Sequence, residues 1–150
     1  MYKKMLVPLD GSEFSECVLD HVRAIAKGCQ VPEVVLLGVA EPLTHQVYYM
    51  IGMEDRLEDW QKENEKYIGS YLSRAAAELR KDDIPVQTVV VSGRPAEAIL
   101  DYANKNQVDL IVMSTHGRSG VSRWVLGSVT DRVVRNSTAP VLTITPRECR

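Results

Sequence analysis

Apolar residues fall along the chain in two alternating patterns. Five short runs, 5–9, 34–40, 86–91, 110–113 and 141–144, are near-continuous and rich in Val, Ile and Leu. Strands buried on both faces read this way. Between the runs, apolar positions recur at helical spacing. One stripe is Phe14, Cys17, Val18, His21, Val22, Ile25 and Ala26, and a longer one is Leu57, Trp60, Tyr67, Ile68, Tyr71, Leu72, Ala75 and Leu79. Ala98, Ile99, Tyr102 and Ala103 form a third, and Val129, Val133 and Asn136 a shorter fourth.

Punctuation supports these elements. Ser12 with Glu13 and Glu16 behind it suits a helix start, because acids in the first turn meet free N–H groups and the positive dipole end. Pro95 suits a first helical position, where its absent N–H costs nothing. Gly28 suits the end of the first helix. Ile84-Pro85 and Ala139-Pro140 break structure before a strand. The resulting order, β-α-β-α-β-α-β-α-β, predicts an α/β fold of three layers, a parallel sheet with helices on both faces joined by right-handed crossovers. The segment 41–55 is the one irregular insertion, and its Tyr48-Tyr49-Met50-Ile51 cluster is expected to pack on something.

Composition narrows the class. The 150 residues fit one domain, 1–150, and a chain this long buries roughly 70% of its unfolded surface. Hydrophobic residues are 45% and charged residues 25%, ordinary for a globular domain. The net charge of −2 argues against general nucleic-acid or anionic-membrane binding. Cys17, Cys29 and Cys149 are scattered, with no CxxC, so neither a disulfide framework nor a zinc site is expected. The apolar stretch near the N-terminus is too short for a signal peptide and is interrupted by Asp10. No run approaches the ~20 apolar residues of a membrane helix. The expected compartment is the cytoplasm.

In an open α/β sheet, ligands bind beyond the carboxyl ends of the strands. Four loops qualify, after Leu9, Ala40, Val91 and Met113. The fourth, from Ser114 to Thr130, combines glycines, hydroxyls, His116, Arg118 and Arg123, then opens a helix. Residues 114–136 carry four arginines (118, 123, 132 and 135) against Asp131 alone, a positive island on an acidic chain. Glycine lets backbone N–H groups approach a phosphate, and the start of a helix at Gly127-Ser128-Val129 offers an anion cradle. Ser128 or Thr130 would add a hydroxyl. Against this, Gly/Ser loops are often only turns, and neither GxxxxGK[ST] nor GxGxxG occurs. His116 alone reads as a turn residue more often than as a ligand, and Trp124 as packing on the loop or a neighbour more than as a stack on a base.

The other loops add less. Asp10 ends the first strand, central in a sheet of order 3-2-1-4-5. It either caps the first helix, or accepts hydrogen bonds from a sugar, or helps hold Mg²⁺ beside phosphates. Pro8 removes a ladder donor and marks an irregularity there. Val39 offers backbone groups and an apolar wall to a base. Arg94 is either a solvated charge or a second phosphate contact.

These residues together resemble the universal stress protein family over nearly the whole length. The matching features are Met5-Leu6-Val7-Pro8-Leu9-Asp10-Gly11-Ser12, Gly93-x-Pro95-Ala96-Glu97-x-Ile99, and Asp109-Leu110-Ile111-Val112-Met113-Ser114-Thr115-His116-Gly117. Gly127-Ser128-Val129-Thr130-Asp131-Arg132-Val133 and Ala139-Pro140-Val141-Leu142 complete them. The resemblance implies a Rossmann-like, adenine nucleotide alpha hydrolase-like fold. The family's ATP-binding branch carries G-x2-G-x9-G-[S/T], which falls here on Ser114, Gly117 and Gly127-Ser128, with serine in place of the first glycine. A serine there needs a negative φ or a tolerated left-handed one.

The resemblance also implies roles. Pro8, Asp10 and Val39 would lie near ribose and adenine. Met113, Ser114 and Gly117 would lie under the ribose and first phosphates, with Arg118 and Ser119 flanking the phosphates. Gly127, Ser128, Val129 and Thr130 would bind the outer phosphates. The implied cofactors are ATP and Mg²⁺, and the implied assembly is a homodimer through the last strand, Val141-Leu142-Thr143-Ile144-Thr145. Three readings stand: an ATP-binding stress-response switch that presents its ordered loop to a protein partner; a slow ATP hydrolase or autokinase using Asp10, His116, Ser119 or Ser128; and a nucleotide-free dimeric interaction module.

Overall fold

The computed structural model describes residues 1–44, 47, 50, 52, 56–116 and 126–146. Five strands form one parallel sheet: β1 (Lys4–Pro8), β2 (Glu33–Ala40), β3 (Val86–Ser92), β4 (Leu110–Ser114) and β5 (Val141–Ile144). Their order across the sheet is β3-β2-β1-β4-β5, as the alternation and switch-point argument expects. The helices are α1 (Glu13–Glu16), α2 (Leu19–Gly28), α3 (Leu57–Arg80), α4 (Pro95–Lys105) and α5 (Ser128–Asn136).

Near-continuous apolar runs become strands covered on both sides. All five residues of β4 are buried. Met5, Val7, Leu9, Val34 and Leu36 point to one face and pack with Val18, Val22, Leu72, Ala76 and Leu79 of the α1–α2 segment and α3. Leu6, Val35, Leu37, Ile111 and Met113 point to the other and pack with Ala96, Ile99, Ala103 and Val133 of α4 and α5. Each fully buried aliphatic side chain contributes about 1.5–3 kcal/mol relative to exposure.

Two local expectations are corrected and one, Gly28, is borne out with a refinement. The first helical stripe is not one helix but two, interrupted at Cys17 and Val18, and Phe14 is exposed on the outside of α1. Gly28 ends α2, yet the left-handed residue of that terminus is Gln30, at φ +51°. Of the apolar cluster in 48–51, Met50 is exposed, and Tyr48, Tyr49 and Ile51 lie outside the described residues.

Pro8 has a physical explanation. The N–H of Leu9 donates to the carbonyl of Leu37 on the β2 side (2.9 Å), so by alternation position 8 faces β4. The β1–β4 pairing has already ended at Leu6 and Ile111. Proline therefore sits where the two strands part and removes no ladder bond.

Candidate functional site

The parting of β1 and β4 opens a cleft of about 280 Å³ at the carboxyl ends of the strands. That is near the lower end of the range for small-molecule sites. Pro8, Asp10, Val39, Met113, Ser114, Gly127, Ser128, Val129 and Thr130 all line it. The remaining nominated residues, Gly117, Arg118 and Ser119, lie outside the described residues, as do Arg123 and Trp124. Of the groups nominated for hydrolysis or autophosphorylation, Asp10, His116 and Ser128 line the cleft.

One end of the cleft is the start of α5. Gly127 precedes its first turn, and no side chain caps it. The N–H groups of Ser128, Val129 and Thr130 open the helix and have no intrahelical acceptor, so they offer hydrogen bonds and partial positive charge. The Gly127 amide is not part of that cradle: it donates to the carbonyl of Thr115 at 2.8 Å. Nor is the Thr130 hydroxyl, which is buried and donates to the carbonyl of Ser114 at 2.8 Å. These two bonds fasten the end of β4 to the start of α5.

Glycine at 127 has φ −54°, which any residue adopts. Its necessity is spatial, because a Cβ there would stand 3.1 Å from the Thr115 carbonyl oxygen. Ser114 is the last residue of β4 and has no positive φ, so the strand accommodates it in place of the family's glycine. Its hydroxyl accepts from the His116 N–H at 3.3 Å.

The described arginines of the positive island do not line the cleft. Arg132 pairs with Glu97 (2.8 Å) and Arg135 with Asp131 (2.9 Å), all on the surface. Arg94 is exposed ahead of α4 and does not line the cleft.

The β1–α1 turn forms the middle of the site. Asp10 Oδ1 accepts from the N–H (2.9 Å) and the hydroxyl (2.6 Å) of Ser12. Ser12 Oγ in turn accepts from the Ser15 N–H (3.1 Å), and Ser15 Oγ accepts from the Asp10 N–H (3.3 Å). Gly11, at φ +83°, makes the bend. Ser12 is thus the helix cap, and Asp10 braces it while facing the cleft.

The opposite wall went unnominated by sequence. Tyr67, Ile68 and Tyr71 of α3 line the cleft, with Glu41 after β2 and Pro95 and Ile99 of α4. In sequence the three α3 residues are part of a helical stripe that reads as core; the one signal is that two of them carry hydroxyls. The Tyr71 hydroxyl is buried and has no hydrogen-bond partner. Burial raises its pKa above the ordinary tyrosine value, and the charges of Glu16 and Asp10 add to the rise while Ser15 opposes it, so the group stays protonated. His116 also lines the cleft. Its Nδ1 meets Thr115 Oγ1 at 2.9 Å, and its Nε2 is buried with no partner. Buried polar atoms without partners are rare in native structures, and two border this cleft.

The family model for the universal stress protein family matches residues 1–145. The chain belongs to the universal stress protein family. Universal stress protein MJ0577 of Methanocaldococcus jannaschii is 31% identical over 155 residues, covering 96% of this chain and 95% of that protein. Universal stress protein YxiE of Bacillus subtilis is 32% identical over 148 residues, covering 96% and 99%. The solved structure of MJ0577 superimposes with a TM-score of 0.79 at 34% identity, over 97% of this chain and 96% of that one. A universal stress protein crystallised in complex with cAMP superimposes with a TM-score of 0.68 at 22% identity, over 96% and 97%. This universal stress protein therefore shares its α/β fold and sheet order with proteins of known structure.

Proposed function

We propose that this universal stress protein binds an adenine nucleotide in the cleft, ATP with Mg²⁺, and acts as a cytoplasmic stress-response switch. The observation that carries the reading is the cleft between β1 and β4, which ends on the uncapped start of α5. The reading sets the phosphates against the N–H groups of Ser128 and Val129, and assigns Gly117, Arg118 and Ser119 to the same phosphates by the family motif. Pro8 and Asp10 border the ribose, and Val39 and Met113 the base; Ser114, Gly127 and Thr130 hold the frame beneath. Another protein of this fold holds cAMP; that likeness concerns the fold, and the cleft of this chain carries the argument.

The donor set suits Mg²⁺ carried by phosphate oxygens and water, with Asp10 as the nearby carboxylate. Among the described residues, no group of three or more His, Cys, Asp or Glu is placed to hold a metal alone. Bound ATP brings multiple negative charge to the α5 start, and the surface around the occupied cleft is what a partner protein reads. The decisive measurement is titration calorimetry with MgATP on protein freed of copurified nucleotide. Saturable one-to-one binding is expected, and a flat titration removes the proposal.

The reading includes a homodimer. β5 is an edge of the sheet, Leu142 on it is exposed, and an uncovered edge is an aggregation hazard unless another chain pairs with it. A second copy of β5 is the proposed cover.

A further inference from the structure

We propose that Tyr71 sets the sugar specificity of the site, its hydroxyl donating to a ribose hydroxyl, so that the cleft selects ribonucleotides over deoxyribonucleotides. The inference rests on the nucleotide reading above and names the part of the ligand that α3 recognises. Three observations combine. The Tyr71 Oη is shut off from solvent and unpartnered, although the ring lines the cleft. Ser15 and Glu16 are close enough to act on it, but Oη closes a hydrogen bond with neither. The negative charges acting on it are Glu16 and Asp10, and Asp10 lines the same cleft.

Those charges decide what kind of ligand atom fits. An anionic phosphate oxygen would be repelled there. A neutral group that accepts from the phenol and donates toward a carboxylate is matched, and a sugar hydroxyl is such a group. Position agrees with chemistry. Along the sheet order β2-β1-β4, the cleft presents Val39, then Asp10, then the α5 start that follows β4. Neighbouring strands stand about 4.8 Å apart. This order sets an apolar base wall, a polar middle and an anion end in the sequence of base, sugar and phosphate. Tyr71 lines the cleft with Asp10 and Ser15 of that middle, and both act on its hydroxyl.

The test uses nucleotide-free full-length protein, wild type and Tyr71→Phe, titrated with the Mg²⁺ complexes of ATP, 2′-deoxyATP and 3′-deoxyATP. Wild type is expected to bind ATP about 5- to 20-fold more tightly than one of the two deoxy analogues, the range a lost hydrogen bond commands. Tyr71→Phe is expected to weaken ATP by the same factor and to leave that analogue unchanged. The variant removes one oxygen that has no partner, so the ligand-free Tm should equal or exceed that of wild type. Equal losses for all three nucleotides, or none, would overturn the sugar assignment while leaving the nucleotide site intact. Wild-type protein that binds none of them would overturn the nucleotide reading itself, and the assignment with it.

Discussion

Two glutamines hold left-handed backbone where glycine is the ordinary choice. Gln30 follows α2 at φ +51°, and Gln107 follows α4 at φ +54°. Each ends its helix in the same way, with the next residue's N–H bonded back into the last turn: Val31 to the Ala26 carbonyl and Val108 to the Ala103 carbonyl, both at 3.0 Å. Val31 and Val108 are buried and seat the chain for the strand that follows. The Cβ strain of a left-handed residue is about 1–2 kcal/mol, partly offset by the extra freedom glycine has when unfolded. Gln107→Gly, at an exposed side chain, should therefore stabilise by about 0.5–1 kcal/mol and raise Tm by about 1–4 °C. Thermal and urea unfolding of the variant check this; an unchanged or lower midpoint would show the strain to be absent. Gly28 does end α2, as its sequence position suggests, but the left-handed turn that follows is made by Gln30. Gly127 was legible as a close approach, and the protein group it admits is the Thr115 carbonyl.

At the scale of elements, α3 decides the shape of the cleft. Its 24 residues span about 36 Å, whereas the eight residues of β2 span about 26 Å. α3 enters from the carboxyl end of β2, so its first turns carry the excess length beyond the strand ends, and Tyr67, Ile68 and Tyr71 follow at the rim, where Ile68 sits over Gly38 and all three line the cleft. The amphipathic stripe showed which face of α3 is covered; it held no information on which residues border the opening. The second determinant is Gly38 in β2. A Cβ there would stand 2.3 Å from Ile68 Cγ2 and 3.2 Å from Leu72 Cδ1. Ile68 is β-branched and stiff at χ1, so relief requires α3 itself to move outward. Gly38→Ala should cost about 1–3 kcal/mol of stability and lower Tm by about 2–10 °C. It should also weaken MgATP binding at temperatures where the variant stays folded, because the displaced residues form the wall. Paired melting curves and titrations test both effects, and a variant matching wild type in each would mean that α3 is not seated against Gly38.

For the molecule as a whole, the sheet order was legible because it follows from chemistry repeated along the chain. Five near-continuous apolar strands alternating with amphipathic helices leave few arrangements, and right-handed crossovers with one reversal place β1 at the centre. The opening beside β1 follows from that reversal. What pairs across the outer edge is set by backbone groups that carry no sequence signal. On β5 the parity is clear from the β4 side: the N–H of Ile111 donates to the Pro140 carbonyl and that of Thr115 to the Ile144 carbonyl. Positions 140, 142 and 144 thus face β4, and Val141, Thr143 and Thr145 turn their backbone groups outward. Thr143→Pro removes an outward donor and leaves the β4 ladder untouched, since proline is tolerated on the free side of an edge strand. In the proposed dimer that donor is paired with the second copy. Light scattering coupled to size exclusion should then give twice the 16.8 kDa chain mass for wild type and the single-chain mass for Thr143→Pro. Circular dichroism of the variant should remain that of the folded chain. Wild-type protein running as a monomer, or a variant that stays dimeric, would move the interface away from β5, and the exposed Leu142 would then need another cover.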